Sequence, residues 1–262
     1  MTQTSTPAGS CTLVGAGPGD PQLLTLKAVK AIESASLLLV DDLVSDEVVA
    51  LAPATARVIH VGKRGGCAST PQAFIEKLMI TQTLKGEKVV RLKGGDPFIF
   101  GRGGEEVERL RQAGIEAQVV NGITAGLAAV TGLGVPLTHR QHAQGVVFLT
   151  GHARRGAKVN WGAVATMAHS ARLTLVIYMG ISQASELARD LMQGMPPETP
   201  AAVVQDASLA SQRHVATTLA RLAQDIKEHG IASPAVIVVG DVTQNLASAS
   251  AHPQFAQTAM AV

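Results

Sequence analysis

The chain predicts an α/β protein of two α/β domains with mostly parallel sheets. Three observations carry this. Short apolar runs alternate with amphipathic stretches along most of the 262 residues, the rhythm of βα units. Aromatic residues make up only 3% of the chain while Ala, Val, Leu and Gly dominate, which suits close packing of helices on a sheet. The glycine- and charge-rich segments follow the apolar runs, where open parallel sheets bind ligands.

In order, residues 12–15 read as a strand. Asp20 then caps a helix with Pro21 at its first position, and Leu23, Leu24, Ala28, Val29 and Ile32 form its apolar face. The apolar run 37–40 is a buried strand ending at Asp41-Asp42, with a short helix over 46–52. Strand 57–61 ends at Gly62-Lys63-Arg64, and helix 70–85 has Thr70 as its cap. Strand 88–92, helix 104–112 stopped by Gly114, strand 117–120 and helix 125–130 complete a first domain over 11–135. The segment 131–144, with Gly132, Gly134 and Pro136 before a polar patch, reads as a linker. The second domain, over 145–246, restarts with strand 146–150. Helix 161–167, strand 173–178, helix 182–193, strand 201–205, a helix within 215–229 closed by Gly230, and strand 235–239 follow. The ends, 1–10 and 247–262, carry no pattern and are expected to be flexible tails. A cleft between the two domains is the expected ligand site.

Bulk composition excludes several classes. With 22 basic and 20 acidic residues and few aromatics, the chain lacks the footprint of a nucleic-acid binder. Two cysteines, Cys11 and Cys67, make neither a disulfide framework nor a structural zinc site, and a cytoplasmic setting fits. No stretch has the apolar length of a membrane span, and the opening MTQTSTPAGS has no basic start or apolar run of a secretory signal.

The most informative stretch is 90–106, VRLKGGDPFIFGRGGEE. An apolar lead runs into five glycines, as where a strand ends and backbone must turn tightly against a ligand. Asp96 is available to accept from a hydroxyl or amine, and Pro97 delays the next helix. Arg102 and Glu105, three apart, share a helix face. Earlier, GAGPGD over 15–20 invites a dinucleotide reading, with Asp41 about 20 residues on. The third glycine of that fingerprint is missing, however, and Pro18 has no N–H to offer a pyrophosphate.

These segments, with VGAGPGDPQLLTLKA, VDDLVS, VGKRGG followed by STPQ, GITAGLAAVTGLGVPLTHR, FLTGH, TLVIYMG and SPAVIVVGDV, span nearly the whole chain in order. The chain resembles the tetrapyrrole methylase superfamily, and within it the branch that methylates uroporphyrinogen III. The resemblance implies two α/β domains with S-adenosyl-L-methionine in the cleft between them, usually in a homodimer. It implies transfer of methyl groups to C2 and C7 of the macrocycle, giving precorrin-2 by way of precorrin-1, without metal. Cofactor contacts carry over to Pro18, Gly94, Gly95, Asp96, Ile99, Thr124, Ala125, Met179 and Ala207. A proton acceptor and donor match Asp41 and Lys63, and substrate-handling residues match Arg102, Glu105, Arg140 and His152.

The residues are apt for that chemistry. Aligning a methyl donor with a carbon nucleophile is the main demand, and a carboxylate such as Asp41 can take the proton that must leave; equally, Asp41 reads as a turn or cap aspartate. Lys63 serves as the proton donor or pairs with a substrate carboxylate as a point charge. Arg64, Arg102, Arg140 and His152 suit the acetate and propionate rim of the macrocycle. Glu105 either orients Arg102 or accepts a pyrrole N–H. Asp42 stands where many relatives have arginine, implying a lost substrate contact. Asn121, where many have proline, is expected to loosen the loop leading to Thr124. Ala207 replaces a frequent glycine.

Overall fold

The computed structural model describes residues 9–62, 70–152, 159–244 and 246. Lys63, Arg64, Cys67 and both chain ends beyond these limits lie outside the described residues. The chain divides into two compact units. One comprises residues up to 128 together with 208–210, and the other comprises 129–207 and the residues from 211 onward.

The first unit holds a five-stranded sheet of β1 (Ser10–Gly15), β2 (Leu37–Val40), β3 (Arg57–His60), β4 (Lys88–Lys93) and β5 (Gln118–Val120). The strand order is β3-β2-β4-β1-β5, and every pair is parallel. Ser10, in the stretch expected to be a tail, is the first residue of β1. Helices α1 (Leu26–Glu33) and α2 (Asp46–Val49) cover one face. Their Ala28, Ile32 and Val48 pack on Val14, Leu38, Val40, Val90 and Leu92. Helices α3 (Gln72–Leu84) and α4 (Gly103–Gln112) cover the other, with Ile75, Met79 and Leu110 on Cys11, Leu13, Leu37, Leu39 and Val89. Alternate residues of each strand thus feed opposite cores, as the two-residue period requires. Burial pushes the Cys11 thiol up to about 12.

Two starts differ from the sequence reading. Asp20 caps only a 3-10 turn, Pro21–Leu23, by accepting from Gln22 N. Helix α1 begins later, behind Thr25, whose hydroxyl accepts from Ala28 N. Helix α3 begins after Pro71 rather than at Thr70, and Pro71 makes no side-chain cap.

Helix α5 (Ala125–Thr131) leads into the second sheet, of β6 (Gly145–Thr150), β7 (Leu173–Tyr178), β8 (Pro200–Gln205), β9 (Arg213–Thr218) and β10 (Ala235–Val239). Helices α6 (Trp161–Ser170), α7 (Ala184–Leu191) and α8 (Leu222–Glu228) pack their Ala165, Leu187 and Ile226 against it. The order is β6-β7-β10-β8-β9. Here the expectation of a mostly parallel sheet fails: only β6 and β7 run parallel, and the pairs β7/β10, β10/β8 and β8/β9 are antiparallel. The cause is β9, in a segment read as leading into a helix. Its RHVATT is rich in β-branched residues and returns directly alongside β8, leaving the helix only 222–228.

Candidate functional site

Parallel order places the loop after β2 (Asp41), the loop after β4 (Gly94, Gly95, Asp96, Ile99), the loop after β1 (Pro18) and the turn after β5 (Thr124, Ala125) at one edge of the first sheet. From β1 the chain runs through α1 to β2, and from β4 through α4 to β5. These two helices cover opposite faces. The connections therefore diverge between neighbouring strands β1 and β4, the topological switch point at which open α/β sheets hold ligands.

Two of the loops around that point, those after β1 and β4, are bound to each other through backbone. Gly17 N donates to Gly95 O at 3.2 Å and Gly95 N to Gly17 O at 2.7 Å. Gly95 sits at φ +68°, where side chains are strained. A Cβ on Gly122 would come within 2.2 Å of Gly95 O, so only glycine allows this approach. Backbone contact between loops accounts for Gly122.

Asp96 is likewise committed. Its side chain is buried, at 6% exposure. Oδ1 accepts from Phe98 N at 2.8 Å, while Oδ2 accepts from Asn121 Nδ2 and Gly122 N, both at 3.1 Å. It fastens the loop after β4 to the loop after β5 instead of pointing a free acceptor outward. The expectation that Asn121 loosens this loop is reversed, because its amide is one of the fasteners.

Asp41 is the outer end of a charge cluster that sequence reasoning missed. Alternation along β4 turns Val89, Arg91 and Lys93 to the α3/α4 face, on which Glu106 of α4 is wholly buried. Arg91 and Lys93 are each only 2% exposed. Arg91 Nε donates to Glu106 Oε1 at 3.1 Å, and its Nη2 pairs with Asp41 Oδ1. Lys93 Nζ lies 3.2 Å from Glu106 Oε2 and 3.4 Å from Asp41 Oδ2. Two cations and two carboxylates balance, as burial demands. Both oxygens of Asp41 are held, so its carboxylate has one orientation. The available signal was an arginine and a lysine alternating inside a central strand that must be covered on both faces.

Arg102 enters α4 in a left-handed conformation, φ 58°. It grips Glu105 with two bonds, Nε to Oε1 at 3.1 Å and Nη2 to Oε2 at 2.6 Å, both side chains being more than half exposed. Glu105 thus holds the guanidinium of Arg102. Hydrogen bonding to Glu105 raises the Arg102 guanidinium further above its ordinary value.

Beside Asp41 lies a cleft of about 280 Å³ lined by Asp41, Asp42, Asp46, His60 and Gly62. Asp42 adds negative charge there, at the position where the resemblance expected a cation.

In the second unit, register aligns the remaining residues. Thr150 of β6 pairs with Tyr178 of β7, and Tyr178 and Val204 both pair with Val236. His152, Met179 and Ala207 therefore follow strand ends at one edge of this sheet. Met179, 47% exposed, has φ 55°, and Asp206 and Ser208, on either side of Ala207, have φ 51° and 70°. Left-handed non-glycine residues cost energy and gather where a chain is held for function. Asp206 and Ser208 carry no glycine or proline signal, so the sequence did not disclose them. His152 is exposed, its N–H donating to Thr150 Oγ1 at 3.2 Å, and Arg140 is exposed in the turn closed by the His139–Ala143 bridge. Ser208 belongs to the first unit, where its Oγ accepts from Asp20 N at 3.1 Å.

A parallel sheet whose loops meet at its switch point, and a second, mixed sheet with left-handed turns along one edge, define a two-sheet α/β protein. The chain belongs to the tetrapyrrole (corrin/porphyrin) methylases, whose family pattern matches residues 10–223. It is 47% identical over 242 residues to a uroporphyrinogen-III C-methyltransferase of Pseudomonas aeruginosa, covering 92% of this chain and 97% of that one. It is 48% identical over 235 residues to the siroheme synthase of Edwardsiella ictaluri, covering 89% of this chain and 50% of that longer protein. Among solved structures, the uroporphyrin-III C-methyltransferase of Thermus thermophilus complexed with S-adenosylhomocysteine superposes with a TM-score of 0.77. It shares 38% identity, with 90% of this chain and 99% of that one covered.

Proposed function

We propose that this chain is an S-adenosyl-L-methionine-dependent methyltransferase that converts uroporphyrinogen III to precorrin-2, by methylation at C2 and then C7. The observation that carries the reading is the 47% identity across nearly the full length of a uroporphyrinogen-III C-methyltransferase. The Thermus relative bound to S-adenosylhomocysteine supports the choice of methyl donor. Precorrin-2 then feeds sirohaem, cobalamin or haem d1 synthesis. Action as a cytoplasmic homodimer is part of the same proposal. No helix among the described residues is long and apolar enough to cross a membrane.

The first unit fits such a cofactor. Its loops present backbone around the switch point, and the left-handed turn at Gly95 abuts Thr124, whose Cα would lie 3.7 Å from an added Cβ. In our reading Pro18, Gly94, Gly95, Asp96, Ile99, Thr124 and Ala125 hold the cofactor in that unit, and Met179 and Ala207 do so in the second. The bound donor supplies a sulfonium methyl group. The chain's own work is alignment, which can lower such a barrier by about 7–11 kcal/mol. Asp41 accepts the proton released from the macrocycle, using the lone pairs left on oxygens that Arg91 and Lys93 hold in place. Lys63 returns a proton. Arg64, Arg102, Arg140 and His152 take the carboxylate rim, and Arg102 exchanges Glu105 for a substrate carboxylate of the same geometry.

The test is incubation with uroporphyrinogen III and methyl-labelled S-adenosylmethionine, followed by mass analysis. Two labelled methyl groups on each macrocycle are expected. No incorporation, or methylation only of a later precorrin, overturns the assignment.

A further inference from the structure

We propose that Asn121 is a positioning residue for the methyl-donor site, acting through Asp96. This rests on the cofactor reading above and adds to it a residue that touches no ligand. The buried carboxylate of Asp96 joins the loop after β4 to the loop after β5. On the β4 side it fixes Phe98 N. On the β5 side it holds both the backbone N–H of Gly122 and the amide of Asn121. Those two loops carry Gly94 and Gly95 on one side and Thr124 and Ala125 on the other. Their mutual placement sets the spacing of the backbone groups offered to the donor.

A carboxylate taken from water needs its lone pairs answered. Asn121 answers one of them from an exposed position, so its own replacement opens no cavity. With that donor gone, Asp96 retains Phe98 and Gly122. The backbone bonds between Gly17 and Gly95 also persist, so the sheet still forms. What slackens is the register between the two loops. Loss of one hydrogen bond to a charged group is expected to weaken donor binding about tenfold.

The experiment is calorimetric titration of S-adenosylhomocysteine into wild type, Asn121→Ala, Asn121→Ser and Asn121→Asp, with a thermal melt of each. Asn121→Ala is expected to lose about tenfold in affinity, independent of pH between 5 and 8. Asn121→Ser, which restores a donor, is expected to recover part of the loss. Asn121→Asp sets a second carboxylate against Asp96. It is expected to bind worst at pH 8 and to improve toward pH 5, where the pair can share a proton. In turnover, Asn121→Ala is expected to raise KM for S-adenosylmethionine while KM for the tetrapyrrole stays put. In an Asp96→Ala background, which offers no side-chain partner, Asn121→Ala is expected to add nothing.

Wild-type affinity in every variant overturns the proposal, as does a fall in melting temperature with affinity unchanged. An Asn121→Ala loss that persists in the Asp96→Ala background also overturns it. Wild-type protein that binds no S-adenosylhomocysteine defeats the cofactor reading itself, and this proposal with it.

Discussion

Arg91 donates its Nε–H to Glu106 Oε1 at 3.1 Å, with both side chains sealed from solvent. This bond secures α4 to β4 beneath Asp41. Removing the carboxylate leaves Arg91 and Lys93 facing only Asp41, so Glu106→Ala is expected to cost about 3–5 kcal/mol of unfolding free energy. Urea denaturation measures it, and a loss below about 1 kcal/mol would show that the cluster is hydrated rather than dry.

Exposed pairs behave differently. Arg102 and Glu105 are three apart on the open side of α4, so Arg102→Ala is expected to change stability by no more than about 0.5 kcal/mol. Its effect is expected on the macrocycle instead. KM for uroporphyrinogen III is expected to rise at least about tenfold, the worth of a charged hydrogen bond, while affinity for S-adenosylhomocysteine stays within a factor of about two. Equal loss of both would place the arginine at the cofactor.

Asp42 makes the cleft beside Asp41 more acidic. Asp42→Arg is expected to lower KM for the polycarboxylate substrate by about threefold or more at low salt, with the gain shrinking at high salt as screening sets in. Steady-state kinetics at two ionic strengths decides this. An unchanged KM at both would remove Asp42 from the substrate's path.

Asp225 links stability to pH. Burial raises its carboxyl, but hydrogen bonds from Thr217 Oγ1 and Arg221 Nη2, each 2.6 Å, prevail and hold it below the ordinary value. A depressed folded-state value means that the unfolded chain takes up its proton first as pH falls. The stabilisation is therefore full above the unfolded value of about 3.9 and is lost as pH drops through it toward the folded one. Asp225→Asn is expected to lower the urea midpoint at pH 7 and to match wild type more closely near pH 3. A gap that widens on acidification would reverse the sign.

Every described strand but β9 was visible in the sequence, the exposed β3 included. Leu37–Val40 and Ala235–Val239 are unbroken apolar runs, Leu173–Tyr178 is interrupted only by Thr174, and all three stand where they were expected. β9 was not visible, because its polar, partly exposed RHVATT runs close to the start of an amphipathic helix, and antiparallel pairing leaves no mark in one strand alone. At the candidate site, the glycine-rich segments announced a tight backbone but not what fills the space. Gly122 meets the carbonyl of Gly95, a partner 27 positions away that only the β4-β1-β5 order brings close. Arg91 and Lys93 passed unnoticed inside an apolar strand, and Asn121 was misjudged, since its partner Asp96 lies 25 residues back along the chain. Lys63 and Arg64 fall outside the described residues.

The fit of Gly122 against Gly95 has an engineering consequence. Grafting one of these loops from a relative would import a segment shaped for foreign neighbours, and the collision would occur between main chains, where no rotamer offers relief. The segments after β1, β4 and β5 form a single transplantable cassette, to be exchanged together or left alone.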